Sequence, residues 1–104
     1  MPIVITTFDR RDGADRADFA QAALDLTRAQ RASGGERCRS SRYYWEDTNT
    51  VVFISDWTEL PTGMAPPDVL KAQYRLGDLA RMTSQKRLTE AGAGAESYRA
   101  AGRA

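Results

Sequence analysis

Apolar and polar positions alternate with two different periods along this chain, and each change of period marks an element. From Ile3 to Phe8 the period is two. Ile3, Ile5 and Thr7 share one face of an extended segment, and Val4, Thr6 and Phe8 share the other. Both faces carry apolar residues, which predicts a central strand covered on both sides. Asp9 to Asp15 is charged, contains Gly13 and reads as a loop. From Asp15 to Ser33 the period lengthens, with Phe19, Ala22, Ala23, Leu26, Ala29 and Gln30 at helical spacing. Asp15 or Gly13 can open this helix, and Asp18 suits its first turn. Arg28 and Arg31 suit its last turn, and Gly34-Gly35 ends it.

The period returns to two from Arg37 to Glu46 and again from Val51 to Thr58. In the first of these strands Arg37, Arg39, Ser41, Tyr43 and Trp45 fall on one face; Cys38, Ser40, Arg42, Tyr44 and Glu46 fall on the other. In the second, Val51, Phe53, Ser55 and Trp57 oppose Val52, Ile54, Asp56 and Thr58. The link from Asp47 to Asn49 is short and turn-prone, so the two strands form an antiparallel hairpin. Three of the four prolines fall between Leu60 and Pro67, a loop. A second helix opens at Pro66-Pro67-Asp68, with Val69, Ala72, Leu76, Leu79, Ala80 and Thr83 at helical spacing. Gly77 inside it costs about 1 kcal/mol relative to Ala, and marks either close packing or a cavity beside the helix. Gln85 to Ala91 is either a polar fourth strand or an extension of the second helix. Residues 92–104 read as a loose tail within a single domain spanning 1–104.

Strand, helix, strand, strand, helix and a candidate fourth strand make an α+β domain with the ferredoxin-like split βαβ order. Its antiparallel sheet carries helices on one face only. The apolar residues on the other face predict cover by a second copy related by a two-fold axis.

Composition narrows the chemistry. The 104 residues carry 15 basic and 14 acidic side chains, a net charge of +1, which calls for neither nucleic acid nor an anionic membrane. Histidine is absent, which removes the commonest metal ligand and general base. The single cysteine, Cys38, excludes an internal disulfide and a cysteine-type zinc cluster, and as a nucleophile it lacks a histidine partner. The first residues are too short in apolar length for a signal peptide, and no segment is long enough to span a bilayer. A reducing cytoplasm is the expected location. Abundant Ala, and Arg in excess of Lys, suggest a GC-rich bacterial genome.

The residues Ile3-Val-Ile-Thr-Thr-Phe8, the helix around Phe19 to Leu26, the Gly34-Gly35 break, Tyr43-Tyr-Trp-Glu46 and Phe53-Ile-Ser-Asp-Trp57-Thr-Glu59 together resemble the dimeric α+β barrel superfamily. Within it, the chain is similar to the antibiotic-biosynthesis monooxygenase-like proteins. The resemblance covers roughly residues 2–83. It implies a homodimer whose two sheets form a barrel, with a pocket in each subunit between sheet and helices. It also implies a cofactor-independent monooxygenase acting on an aromatic or quinol-type metabolite, with neither metal nor flavin. A haem-degrading branch uses a histidine on the second helix and an asparagine on the first strand. This chain has no histidine and offers Thr6 and Thr7 on that strand, so the haem reading falls.

Trp57 matches the family's Trp at the end of strand three. With Tyr43 and Trp45 it lines an aromatic substrate pocket, or else all three belong to the core and the dimer interface. Tyr74 and Arg75 lie on the second helix, where other family members place pocket residues. The candidate catalytic residues are Trp57, Asp56 and Arg75, and the candidate substrate-binding residues are Trp57, Tyr43, Trp45 and Tyr74. Arg75 or Arg42 would stabilise a substrate anion, and Asp56 or Tyr44 would relay a proton. The bland alternative for each is a solvated charge or an ordinary sheet residue. Arg28, Arg31, Arg37, Arg39 and Arg42 form a basic cluster without the aromatic array of a single-strand nucleic-acid binder. Two readings follow: an oxygenase, or a non-catalytic dimeric barrel that binds a small ligand or serves as an interaction module.

Overall fold

Val51, Phe53, Ser55 and Trp57 are all buried, whereas Val52, Ile54 and Asp56 between them are only half-buried. That alternation sets the architecture: one sheet face lies under the helices and the other does not. The computed structural model describes residues 2–34, 37–60 and 63–89. In chain order these form β1 (Pro2–Arg10), α1 (Arg16–Gly34), β2 (Cys38–Trp45), β3 (Thr50–Trp57), α2 (Pro67–Leu79) and β4 (Ala80–Thr89). The strands make an antiparallel sheet in the order β2-β3-β1-β4, the ferredoxin-like arrangement expected from the order of the elements.

Asp15 opens α1 by accepting the Asp18 backbone N–H on its carboxylate at 3.0 Å. The apolar stripe of α1 buries Phe19, Ala22, Ala23 and Leu26, while α2 contributes Val69, Leu76 and Leu79. The small alanines let α1 lie close to its neighbours. Full burial of a side chain such as Leu76 contributes roughly 1.5–3 kcal/mol. Gly34 closes α1 because the chain turns back tightly there: a Cβ on it would stand 2.4 Å from the Cys38 Cβ. Gly35, the second half of the expected stop, lies outside the described residues. Gly77 has no such neighbour, since a Cβ there would meet nothing within 4 Å. Close packing therefore does not explain Gly77.

Two bulges alter the expected faces. In β2, Cys38 pairs with Trp57 but Ser40 pairs with Asp56, so Arg39 is an extra residue. Strict alternation puts Cys38 beside Ser40 and Arg42; the bulge instead turns it to the side of Trp57. In β4 the register slips between Thr7 and Phe8, leaving Thr83 unpaired, with its hydroxyl donating to the Thr7 carbonyl at 3.4 Å.

The end of the second helix also differs from the periodicity. Ala80 and Thr83 continue the helical spacing, yet α2 stops at Leu79. Ala80 is extended, and its N–H bonds back to the Leu76 carbonyl. Residues 80–89 form a strand because Ala80 to Thr89 can complete the open edge of β1, which local periodicity cannot report. Of the expected segment Gln85 to Ala91, the last two residues lie outside the described ones, as does the expected tail 92–104.

Candidate functional site

Register places the inner, helix-facing side chains in rows across the sheet. One row runs Trp45, Val51, Phe8, Met82; the next Tyr43, Phe53, Thr6, Gln85; the next Ser41, Ser55, Val4, Arg87. The first row lies at the packed end of the core. Phe19 meets Trp45 edge-on there, with ring centroids 5.5 Å apart, and Phe8 meets Phe53 in the same way at 5.5 Å. Toward the third row the filling gives out. A cleft of about 450 Å³ lies between sheet and helices. This is within the range of small-molecule sites, about 300–1,000 Å³.

Its floor comes from β1 and β3 through Val4, Thr6, Phe8, Phe53, Ser55 and Trp57. Leu26 and Gln30 of α1 and Gln73 and Leu76 of α2 form the roof. Met82, Gln85 and Arg87 of β4 form the outer wall, and Leu60 lies beyond the end of β3. The lining is thus apolar with neutral hydrogen-bonding groups set into it. Among the described residues, Arg87 is the one charged side chain in it.

The polar groups are fixed by mutual contacts. The Trp57 indole N–H donates to the Ser55 hydroxyl at 2.8 Å. The Gln85 side-chain amide donates to the Thr6 hydroxyl at 3.4 Å across β1 and β4. Gln30 accepts the Ser41 hydroxyl at 3.0 Å, and Arg31 donates to the Ser41 carbonyl at 2.8 Å, so α1 is clamped onto β2 beside the cleft. Among the described residues, no buried side-chain polar atom lacks a partner. Cys38 is part-buried next to Trp57 and Gly34. Burial pushes its thiol above the ordinary value; Arg31 opposes this and Asp56 adds to it, which leaves a protonated, weakly nucleophilic sulfur at neutral pH. No group of three or more His, Cys, Asp or Glu among the described residues is arranged to hold a metal ion.

The residues singled out from sequence are spread over three regions. Trp57 is 8% exposed and lines the cleft. Tyr43 and Trp45 share its sheet face but stand in the rows nearer the packed end. Tyr43 leans on Phe53, and Trp45 carries the Arg16 guanidinium 4.6 Å above its ring. Asp56 points to the outer face, with its carboxylate 4.0 Å from Arg39. Arg42 and Tyr44 pair with Ile54 and Val52 on that same outer face. Tyr74 is 72% exposed, and Arg75 lies in a shallow groove between α1 and α2 with Asp25, Asp68 and Lys71. The structure therefore brings Trp57 together with Ser55, Thr6, Gln30, Gln85 and Arg87, and separates it from Asp56, Tyr74 and Arg75. Sequence reasoning passed over Gln30 as a site residue and over Ser55, Gln85 and Arg87. Neutral amides and hydroxyls carry no motif, and β4 was not certain to be a strand.

No family model and no curated protein matches the chain. Solved structures do. SnoaB, a cofactor-independent oxygenase from Streptomyces nogalater, superposes with a TM-score of 0.70 at 14% identity, covering 88% of this chain and 94% of SnoaB. A structure described as an antibiotic biosynthesis monooxygenase matches with a TM-score of 0.67 at 13% identity, over 90% of this chain and all (100%) of that one. A Deinococcus radiodurans protein assigned by similarity to the antibiotic biosynthesis monooxygenases matches with a TM-score of 0.62 at 22% identity, over 91% and 96% of the two chains. The chain has the ferredoxin-like α+β fold of the antibiotic biosynthesis monooxygenase-like proteins.

Proposed function

We propose that this protein is a small cofactor-independent monooxygenase acting on an aromatic or quinol-type metabolite held in the cleft beside Trp57. The observation that carries the reading is the cleft itself: about 450 Å³, apolar, roofed by two helices and edged by fixed neutral donors. Oxygenation without a cofactor requires the substrate to supply the electrons as its enolate or phenolate. The substrate carbanion passes one electron to O2, the two radicals join as a peroxide, and the O–O bond breaks with loss of water. The balance is CH2 + O2 → C=O + H2O, with all four electrons drawn from the substrate carbon. Ser55, Trp57 and Gln85 are placed to hold ring oxygens, and the apolar walls keep the anion away from bulk water. The test is oxygen uptake with anthrone- and hydroquinone-type substrates in metal-free buffer. Uptake that falls about tenfold or more in Trp57→Phe supports the reading; no uptake across the panel overturns it.

One observation favours a second reading, a ligand-binding barrel without turnover. Among the described residues no carboxylate lines the cleft, and the sequence has no histidine. A ligand that raises the melting temperature but is recovered unchanged would favour this reading.

In either case the functional unit is a homodimer. Ile3, Ile5, Val52 and Ile54 form an apolar stripe on the outer sheet face, extended by Leu88 and Tyr44, each 48% exposed. A second copy meeting that stripe about a two-fold axis would bury it against itself.

A further inference from the structure

We infer that Arg87 makes the cleft selective for a ligand that enters as an aromatic anion. This rests on the reading of the cleft as a ligand site, and not on turnover there. Val4 is flanked on its two sides by Ser55 and Arg87, so those two residues lie on one face, two strands apart. Strand spacing makes that about 10 Å, the length of a two- or three-ring fused aromatic. A planar ligand resting on Val4 therefore meets the Ser55–Trp57 pair at one end and a guanidinium at the other. Arg87 stays charged at every accessible pH, and its planar fork suits a carboxylate or a ring oxyanion.

The remaining lining sharpens the preference. Thr6, Gln30, Ser55, Gln73 and Gln85 are neutral, so among the described residues an entering anion meets no like charge. The nearest candidate for repulsion in sequence, Asp56, lies on the outer face beside Arg39. With no carboxylate or imidazole in the lining to take a proton, the ligand must bring its negative charge with it. Either a ring hydroxyl acidic enough to ionise near neutral pH or a carboxylate substituent would supply that charge.

The test measures affinity by quenching of the intact protein's tryptophan fluorescence, with no oxygen readout. Three probes are used: 2-naphthoate, its neutral isostere 2-naphthamide, and a nitronaphthol titrated through its own ionisation. We expect 2-naphthoate or the nitronaphtholate to bind at least about tenfold more tightly than the amide. The nitronaphthol's affinity should rise with the ligand's own pKa, and Arg87→Gln should abolish both preferences while leaving amide binding unchanged. Whichever anion binds better identifies the source of the charge. Arg87 is exposed on a described strand, and circular dichroism checks that Arg87→Gln stays folded; Arg87→Lys, which keeps the charge, should retain a reduced preference. Equal binding of naphthoate and naphthamide, or an anion preference that survives Arg87→Gln, overturns the inference. Failure of every probe to bind overturns it together with the ligand-site reading. Arg87-dependent anion binding by a protein that consumes no oxygen supports it while sinking the oxygenase proposal.

Discussion

Trp57 donates its indole N–H to the hydroxyl of Ser55, two residues earlier on the same strand, and both side chains are more than nine-tenths buried. The bond holds the indole against the end of the cleft. Ser55→Ala leaves a buried donor unpaired and is expected to cost about 1–3 kcal/mol in urea unfolding. In a Trp57→Phe background, which lacks the N–H, the same substitution should cost clearly less. Equal costs in the two backgrounds would mean that the bond contributes nothing.

The two helical glycines should respond in opposite directions. Gly34→Ala drives a methyl into the Cys38 Cβ, 2.4 Å away, and is expected to destabilise by about 1–3 kcal/mol. Gly77→Ala adds a methyl where nothing lies within 4 Å and is expected to stabilise by up to about 1 kcal/mol. Calorimetry should show the melting temperature falling for the first and rising for the second.

Acid should loosen the β2–β3 turn. The Asp47 carboxylate accepts the Asn49 backbone N–H at 2.8 Å, and that bond holds its pKa below the ordinary range. A depressed folded-state pKa means stabilisation that is fully present above the unfolded value, about pH 4, and lost as pH falls through the folded value. Asp47→Ala should therefore flatten the stability profile below about pH 4. Its difference from wild type should be largest near neutrality and shrink on acidification.

Ile54 lies in the middle of the outer stripe, opposite Ile5 of β1 and Arg42 of β2. Ile54→Lys should convert a sedimenting dimer into a folded monomer with unchanged far-ultraviolet circular dichroism. A wild-type protein that sediments as a monomer at micromolar concentration would remove the dimer from the proposal.

The helices, the hairpin and the ferredoxin-like order are legible in the sequence because Phe19 to Leu26 and Val51 to Trp57 obey one period each. What escapes is anything that depends on a partner distant in sequence. The Arg39 bulge turns Cys38 over, and no local pattern signals it. Ala80 and Thr83 keep a helical rhythm while the free edge of β1 draws them into a strand. The site shows the same division. Trp57 is found by resemblance to the family, but Asp56 beside it in sequence faces the opposite way, as strand alternation requires. Arg87, thirty positions later, becomes its companion in the cleft only through the pairing of β4 with β1.

The chain passes from α2 to β4 at Leu79–Ala80 without a connecting residue. Gln73 and Leu76 in the roof therefore belong to the same rigid run as Gln85 and Arg87 in the wall. One residue inserted at that joint would move each following β4 side chain to the opposite face unless the Thr83 bulge absorbed it. Length changes at this point would exchange Gln85 and Arg87 for Ser84 and Lys86 in a single step. The joint is thus a place where descendants of this chain could acquire a different cleft wall without altering a single side chain.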